Sequence, residues 1–84
     1  MEKLGERIRK LRKEQGMTQE ELGKRIGGIP NNVISMIENG HREPDLRTLV
    51  AMADLFEVET DFLLGRTEYT GRLRKKVKRA HSLM

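Results

Sequence analysis

Residues 16–40, GMTQEELGKRIGGIPNNVISMIENG, hold two short helical patterns around a glycine-containing turn. The first has a dense start signal. Thr18 is an N-cap candidate, Glu21 completes a Thr-x-x-Glu capping box, and Met17 is placed to staple onto Leu22. This helix is expected to run through Leu22 and Ile26 and to stop at Gly27-Gly28. The second starts at Pro30 or Asn31 and runs to Asn39, with Gly40 as its stop and Val33, Ile34 and Ile37 at helical spacing. Two adjacent asparagines open it, although an asparagine side chain competes for backbone hydrogen bonds and weakens a helix interior. Stability does not account for them, so their amides are candidates for reading something outside the helix.

The flanking sequence extends the helical pattern both ways. Upstream, Leu4, Ile8 and Leu11 fall at i, i+4 and i+7 and predict a helix to about Gln15, stopped by Gly16. Downstream, Asp45 behind Pro44 caps a fourth helix whose Leu46, Leu49, Ala53 and Phe56 form one stripe. A short fifth helix is expected near residues 59–64, ending at Gly65. No segment alternates at period two, so the fold class is all-α with five helices. The chain has 84 residues, enough for one small core.

Charge divides the chain at the end of the fifth helix. Residues 1–65 carry ten Lys and Arg against twelve Asp and Glu, whereas residues 66–84 carry seven against one. The expected organisation is a helical domain, 1–65, followed by a basic tail, 66–84. In the tail Leu73, Val77, Ala80 and Met84 form a narrow stripe, compatible with a solvated electrostatic arm or with a packing helix. The net charge of +4 therefore says little about the helical part.

Several function classes find no support. There is no cysteine for a disulfide or thiolate site, and no His pair at metal-ligand spacing. His41 and His81 stand apart from any nucleophile or carboxylate pattern, and Gly27-Gly28 belongs to no phosphate-binding loop. The expectation is a non-enzyme with no metal and no cofactor. No apolar run is long enough to cross a membrane, and the charged amino terminus does not resemble a secretory signal. A cysteine-free, unspanned chain suits the cytoplasm.

Two short helices joined by a tight turn form a helix-turn-helix layout, in which the second helix can enter a DNA major groove. Wound at 100° per residue, that helix points Ile34 and Ile37 toward a core, with Asn32, Ser35, Met36 and Asn39 roughly opposite and Asn31 at the tip. An asparagine amide can bond adenine bidentately in the groove. Asn31, and less readily Asn32, has a second reading, as the cap of the helix.

The motifs Thr-Gln-x-x-Leu, Ile-Ser-x-Ile-Glu-x-Gly, Pro-x-x-x-x-Leu and the Leu-Leu-Gly end strongly resemble the lambda-repressor-like, Cro/CI-type (Xre) helix-turn-helix family across residues 4–65. The resemblance implies base-facing roles for Asn31, Asn32, Ser35 and Met36. It implies DNA-backbone contacts from Gln19, Asn39, His41 and Arg42, and a structural ion pair between Arg12 and Glu38. Gly23 matches a position where a small residue lets helices two and three approach. The chain departs from the family pattern by one extra turn residue, most simply Gly28, and by Pro30 in place of a capping Ser or Thr. Val33 and Met36 stand where polar residues are common and suit contact with a thymine methyl, or with another protein.

The implied function is a sequence-specific transcriptional regulator, a repressor occupying palindromic double-stranded DNA as a homodimer. Phe62, Leu63, Leu64 and Tyr69 are the expected apolar dimer contacts. Two other classes remain open: an antitoxin, in which the same DNA-binding fold also holds a partner toxin, and a protein-interaction module without DNA affinity; the candidate protein partner is a toxin or an anti-repressor.

Overall fold

A computed structural model describes residues 2–69, and within them the chain forms five α-helices and no strand. The helices are α1 (Glu2–Glu14), α2 (Gln19–Arg25), α3 (Asn31–Glu38), α4 (Leu46–Phe56) and α5 (Thr60–Leu63). The 73–84 stripe and the basic residues from Arg72 to Arg79 lie outside the described residues.

Side-chain caps start α2 and α4. Thr18 Oγ1 accepts from the Glu21 amide at 3.0 Å while Glu21 Oε1 accepts from the Thr18 amide at 2.9 Å, closing the capping box of α2. Met17 and Leu22, on either side of that box, are both buried. Asp45 Oδ1 accepts from the Thr48 amide at 2.8 Å and caps α4. The chain leaves α4 through Glu57, whose φ of 56° is left-handed without being glycine, and Val58 donates back to the Ala53 carbonyl at 3.0 Å. That closure turns Val58 into the core, where it is 2% exposed.

One core joins all five helices. Leu4 and Ile8 from α1, Leu22 from α2, Ile34 from α3, Met52 and Phe56 from α4 and Leu63 from α5 are all essentially inaccessible. Each such side chain contributes roughly 1.5–3 kcal/mol of transfer free energy, so the position of α3 is held chiefly by Ile34 and Ile37.

Two expectations about apolar faces are corrected. Leu46 is 75% exposed and does not join the buried stripe of α4, which is instead Leu49, Met52, Ala53 and Phe56. It is the first residue of its helix, beyond the edge of the core, where Thr48 is the first side chain to be covered. Leu63 is fully buried rather than presented to a partner, and Phe62 is half-buried beneath Arg7, whose guanidinium carbon lies 4.1 Å from the ring centroid.

Arg7 also ties down the chain after α5. Its Nη1 donates to the Phe62 carbonyl at 2.6 Å and to the Thr67 carbonyl at 2.8 Å, and its Nη2 donates to Glu68 Oε1 at 2.9 Å. Glu68, the one acidic residue in 66–84, is thus docked on α1.

Candidate nucleic-acid interface

The turn before α3 absorbs its extra residue through two consecutive glycines with positive φ, Gly27 at 112° and Gly28 at 85°. Only glycine adopts that pair of conformations without strain. The amides of Gly28 and Ile29 then both donate to the Gly23 carbonyl at 2.9 Å. A Cβ on Gly23 would stand 1.9 Å from the Ile29 oxygen, so α2 and the turn touch backbone to backbone.

Pro30 is the N-cap of α3, with φ −61° and ψ 149°, and no side chain caps the helix. Asn31 is the first helical residue, which removes the capping alternative for it. At the other end the Gly40 amide donates to Ile37 and the His41 amide to Met36, a closing pair that turns the chain away through Gly40 at φ 79°.

Between these ends Ile34, Ile37 and Glu38 are buried, whereas Asn31, Asn32, Met36 and Asn39 are exposed and Ser35 is half-buried. Asn32, Met36 and Asn39 fall at i, i+4 and i+7, one stripe along the helix, with Ser35 beside it. Val33 does not share that stripe's exposure. It is half-buried against the core and lines a cleft of about 280 Å³ with Ile29, Ile37, Pro44 and Arg42. His41 and Arg42 are exposed in the loop that follows.

Glu38 organises the inner side of the helix. Arg12 Nε donates to its Oε2 at 2.6 Å and Arg12 Nη2 to its Oε1 at 3.1 Å, a bidentate pair, while Arg12 Nη1 donates to the Met17 carbonyl at 2.8 Å. Gln19 Nε2 donates to Glu38 Oε1 at 3.1 Å, bracing the start of α2 against the end of α3. Arg9 Nε adds a longer contact at 3.4 Å. The Glu38 side chain is wholly inaccessible, yet among the described residues no buried side-chain nitrogen or oxygen lacks a partner.

Burial pushes the Glu38 carboxyl up. The hydrogen bonds from Arg12 and Gln19, the Arg12 charge and the Arg9 contact outweigh that, and leave it below its ordinary value of 4.5. Well above 4.5 neither the folded nor the unfolded state binds a proton at this group, and its stabilising effect is complete. As pH falls below that value the unfolded chain takes up the proton first, so stability declines until the folded carboxyl also titrates. Melting temperature measured downward from about pH 6 should therefore fall below about pH 4.5, and Glu38→Gln should flatten that decline. An acid slope unchanged in the variant would assign the effect to other carboxylates.

Two residues of this region carry no signal strong enough to have been singled out in the sequence. Gly5, in the middle of α1, is where the end of α3 docks: a Cβ there would stand 2.4 Å from the Glu38 oxygen and 2.6 Å from that of Ile37. Its only mark is a glycine inside a helical pattern, which costs about 1 kcal/mol against alanine. Arg9 is the second, three residues from Arg12 on the same face of α1.

Comparison with known proteins agrees with this architecture. The family model described as helix-turn-helix matches residues 8–63. The HTH-type transcriptional regulator ImmR of Bacillus subtilis is 40% identical over 65 residues, which are 77% of this chain and 50% of that protein. The chain thus spans about half the length of this and other curated relatives. Among solved structures, the DNA-binding domain of the phage P22 C2 repressor superposes with a TM-score of 0.66 at 38% identity, covering 73% of this chain and 79% of that one. The N-terminal DNA-binding domain of SinR from Bacillus subtilis gives a TM-score of 0.68 at 28% identity, covering 76% and 93%.

Proposed function

The chain belongs to the Cro/CI-type helix-turn-helix family, and from that premise we propose that it is a sequence-specific, double-stranded-DNA-binding transcriptional regulator that represses by occupying an operator. The observation that carries this reading is the row of exposed Asn32, Met36 and Asn39, with half-buried Ser35 beside it, on a helix anchored from behind by Ile34, Ile37 and the Glu38 pair. Asn32 is the residue best placed to bond an adenine edge, with Asn31 at the helix tip beside it, and Met36 offers apolar contact to a thymine methyl. Gln19 keeps a second N–H on the nitrogen that braces Glu38, and that donor suits a phosphate; His41 and Arg42 suit the opposite backbone.

An eight-residue helix is about 12 Å long, so a single copy can address only a few base pairs. The proposal is accordingly a two-fold dimer on a palindromic site, with half-sites roughly 34–36 Å apart. The burial of Leu63 leaves Tyr69, 44% exposed, as the exposed member of the expected set, and the proposed dimer surface adds Leu46 and Val50, one turn apart on α4 and 75% and 41% exposed. No helix among the described residues is long and apolar enough to cross a membrane, and the proposed site of action is cytoplasmic DNA.

Selection of bound duplexes from a random pool tests the reading. The selected site should be two-fold symmetric, and Asn32→Ala should weaken binding by about 1–3 kcal/mol per half-site while relaxing preference at one base pair. Gln19→Ala should weaken all sequences more evenly. Wild-type affinity in both variants would show that the wrong face has been assigned. An asymmetric site bound by a monomer in sedimentation would remove the dimer.

A further inference from the structure

Arg9 reaches past Glu38 to the exposed face of α3. Its Nη2 donates to Asn39 Oδ1 at 2.5 Å, while its Nε lies 3.4 Å from Glu38 Oε1. A guanidinium carries donors only, so Asn39 can turn only its carbonyl oxygen toward Arg9; the flipped amide would set N–H against N–H. With Oδ1 held there, Asn39 Nδ2 points back along the helix toward Ser35 Oγ at 3.4 Å. Ser35 Oγ is then the acceptor in that contact, and its own hydroxyl proton is left to donate outward.

We propose that Arg9 is a specificity-determining positioning residue: by fixing the Asn39 amide, it makes Ser35 present a hydrogen-bond donor to the base it faces. This rests on α3 being the reading helix. That donor matches guanine, which shows only acceptors, N7 and O6, in the major groove, and is mismatched to cytosine, which shows the N4 amino donor. Arg9 itself touches no base in this scheme. Its side chain is 41% exposed, against 10% for Arg12, so Arg9 can be replaced without stranding the buried carboxylate.

The test is site selection from random duplexes with the full chain and four variants. Ser35→Ala identifies the base pair that Ser35 faces. Arg9→Met keeps an aliphatic stem but no donor; it should reduce guanine preference at that pair about fivefold, the worth of roughly one neutral hydrogen bond, and leave the other positions unchanged. Arg9→Lys, which retains a donor, should restore most of the preference. Asn39→Asp keeps an acceptor for Arg9 but cannot donate to Ser35, so the Ser35 proton turns inward and the preference should shift from guanine toward cytosine. Melting temperatures of all four should stay near that of the wild type. Even weakening at every position in Arg9→Met, or an unaltered preference in Asn39→Asp, would overturn the proposal while leaving α3 as the reading helix. Failure of the wild-type chain to select any site would overturn the DNA-reading role and this inference with it.

Discussion

Arg12→Ala should lower the melting temperature by roughly 12–24 °C, the largest loss expected from any single side chain outside the apolar core. The Glu38 carboxylate is wholly inaccessible and Arg12 supplies two of its hydrogen bonds. Removing one partner of a buried pair costs about 3–5 kcal/mol, because the remaining charge is left in a poorly polarisable interior. Gln19 and Arg9 still reach the carboxylate, which places the cost near the lower end, about 3 kcal/mol. For a domain of this size each kcal/mol moves the midpoint by roughly 4–8 °C. Arg12 also holds the Met17 carbonyl, so the entry to α2 should loosen with it. A companion variant separates pairing from packing: replacing both Arg12 and Glu38 by methionine removes the charge problem and should recover much of the loss. A thermal scan in which Arg12→Ala melts within about 3 °C of the wild type would mean that the pair holds nothing together.

What could be read from the sequence and what could not follow from the range of the interactions involved. The capping box at Thr18 and Glu21, the Asp45 cap and the glycine stops at Gly16, Gly40 and Gly65 act over three or four residues, and each is written in consecutive letters. The core face of α3 follows from winding Ile34 and Ile37 at the helical period, and the opposite row follows with it. The end of α4 is different. Glu57 takes a left-handed conformation that a sequence reader expects of glycine or asparagine, and only the burial of Val58 explains why it does. Periodicity placed Leu46 on the buried stripe of α4, yet it is solvent-exposed, since angular position says nothing about where along its axis a helix runs off the core. Leu63 was expected at a dimer surface because apolar density near a short helix does not distinguish core from interface. The orientation of the Asn39 amide could not be read at all. It is set by Arg9, thirty residues upstream, through a contact that exists only once α1 and α3 have packed.

Gly23→Ala should be almost as damaging as the loss of Arg12, and for a different reason. The added Cβ would meet the Ile29 carbonyl oxygen at 1.9 Å and its carbon at 3.0 Å, both backbone atoms. A side chain in the way could rotate; here the turn itself has to move. Overpacking of a filled site costs about 1–3 kcal/mol and occasionally more, and a contact made with backbone belongs at the top of that range. The displaced segment is also the one whose Gly28 and Ile29 amides converge on the Gly23 carbonyl, so the shift would pull on both hydrogen bonds and tilt α3 away from α2. Alanine is otherwise the better helix former by about 1 kcal/mol; that gain offsets only part of the clash. The expected result is a melting temperature lower by at least roughly 8–16 °C, a net cost of about 2 kcal/mol. Binding to the selected duplex should weaken further than this loss of folded protein explains when measured well below the midpoint. Gly27→Ala separates steric closeness from backbone strain, because a Cβ there meets nothing within 4 Å and only the positive φ opposes it. Its cost should stay at or below roughly 1–2 kcal/mol. If Gly23→Ala melts no lower than Gly27→Ala and binds the same site equally well, α2 and the turn before α3 do not approach as closely as their backbones indicate.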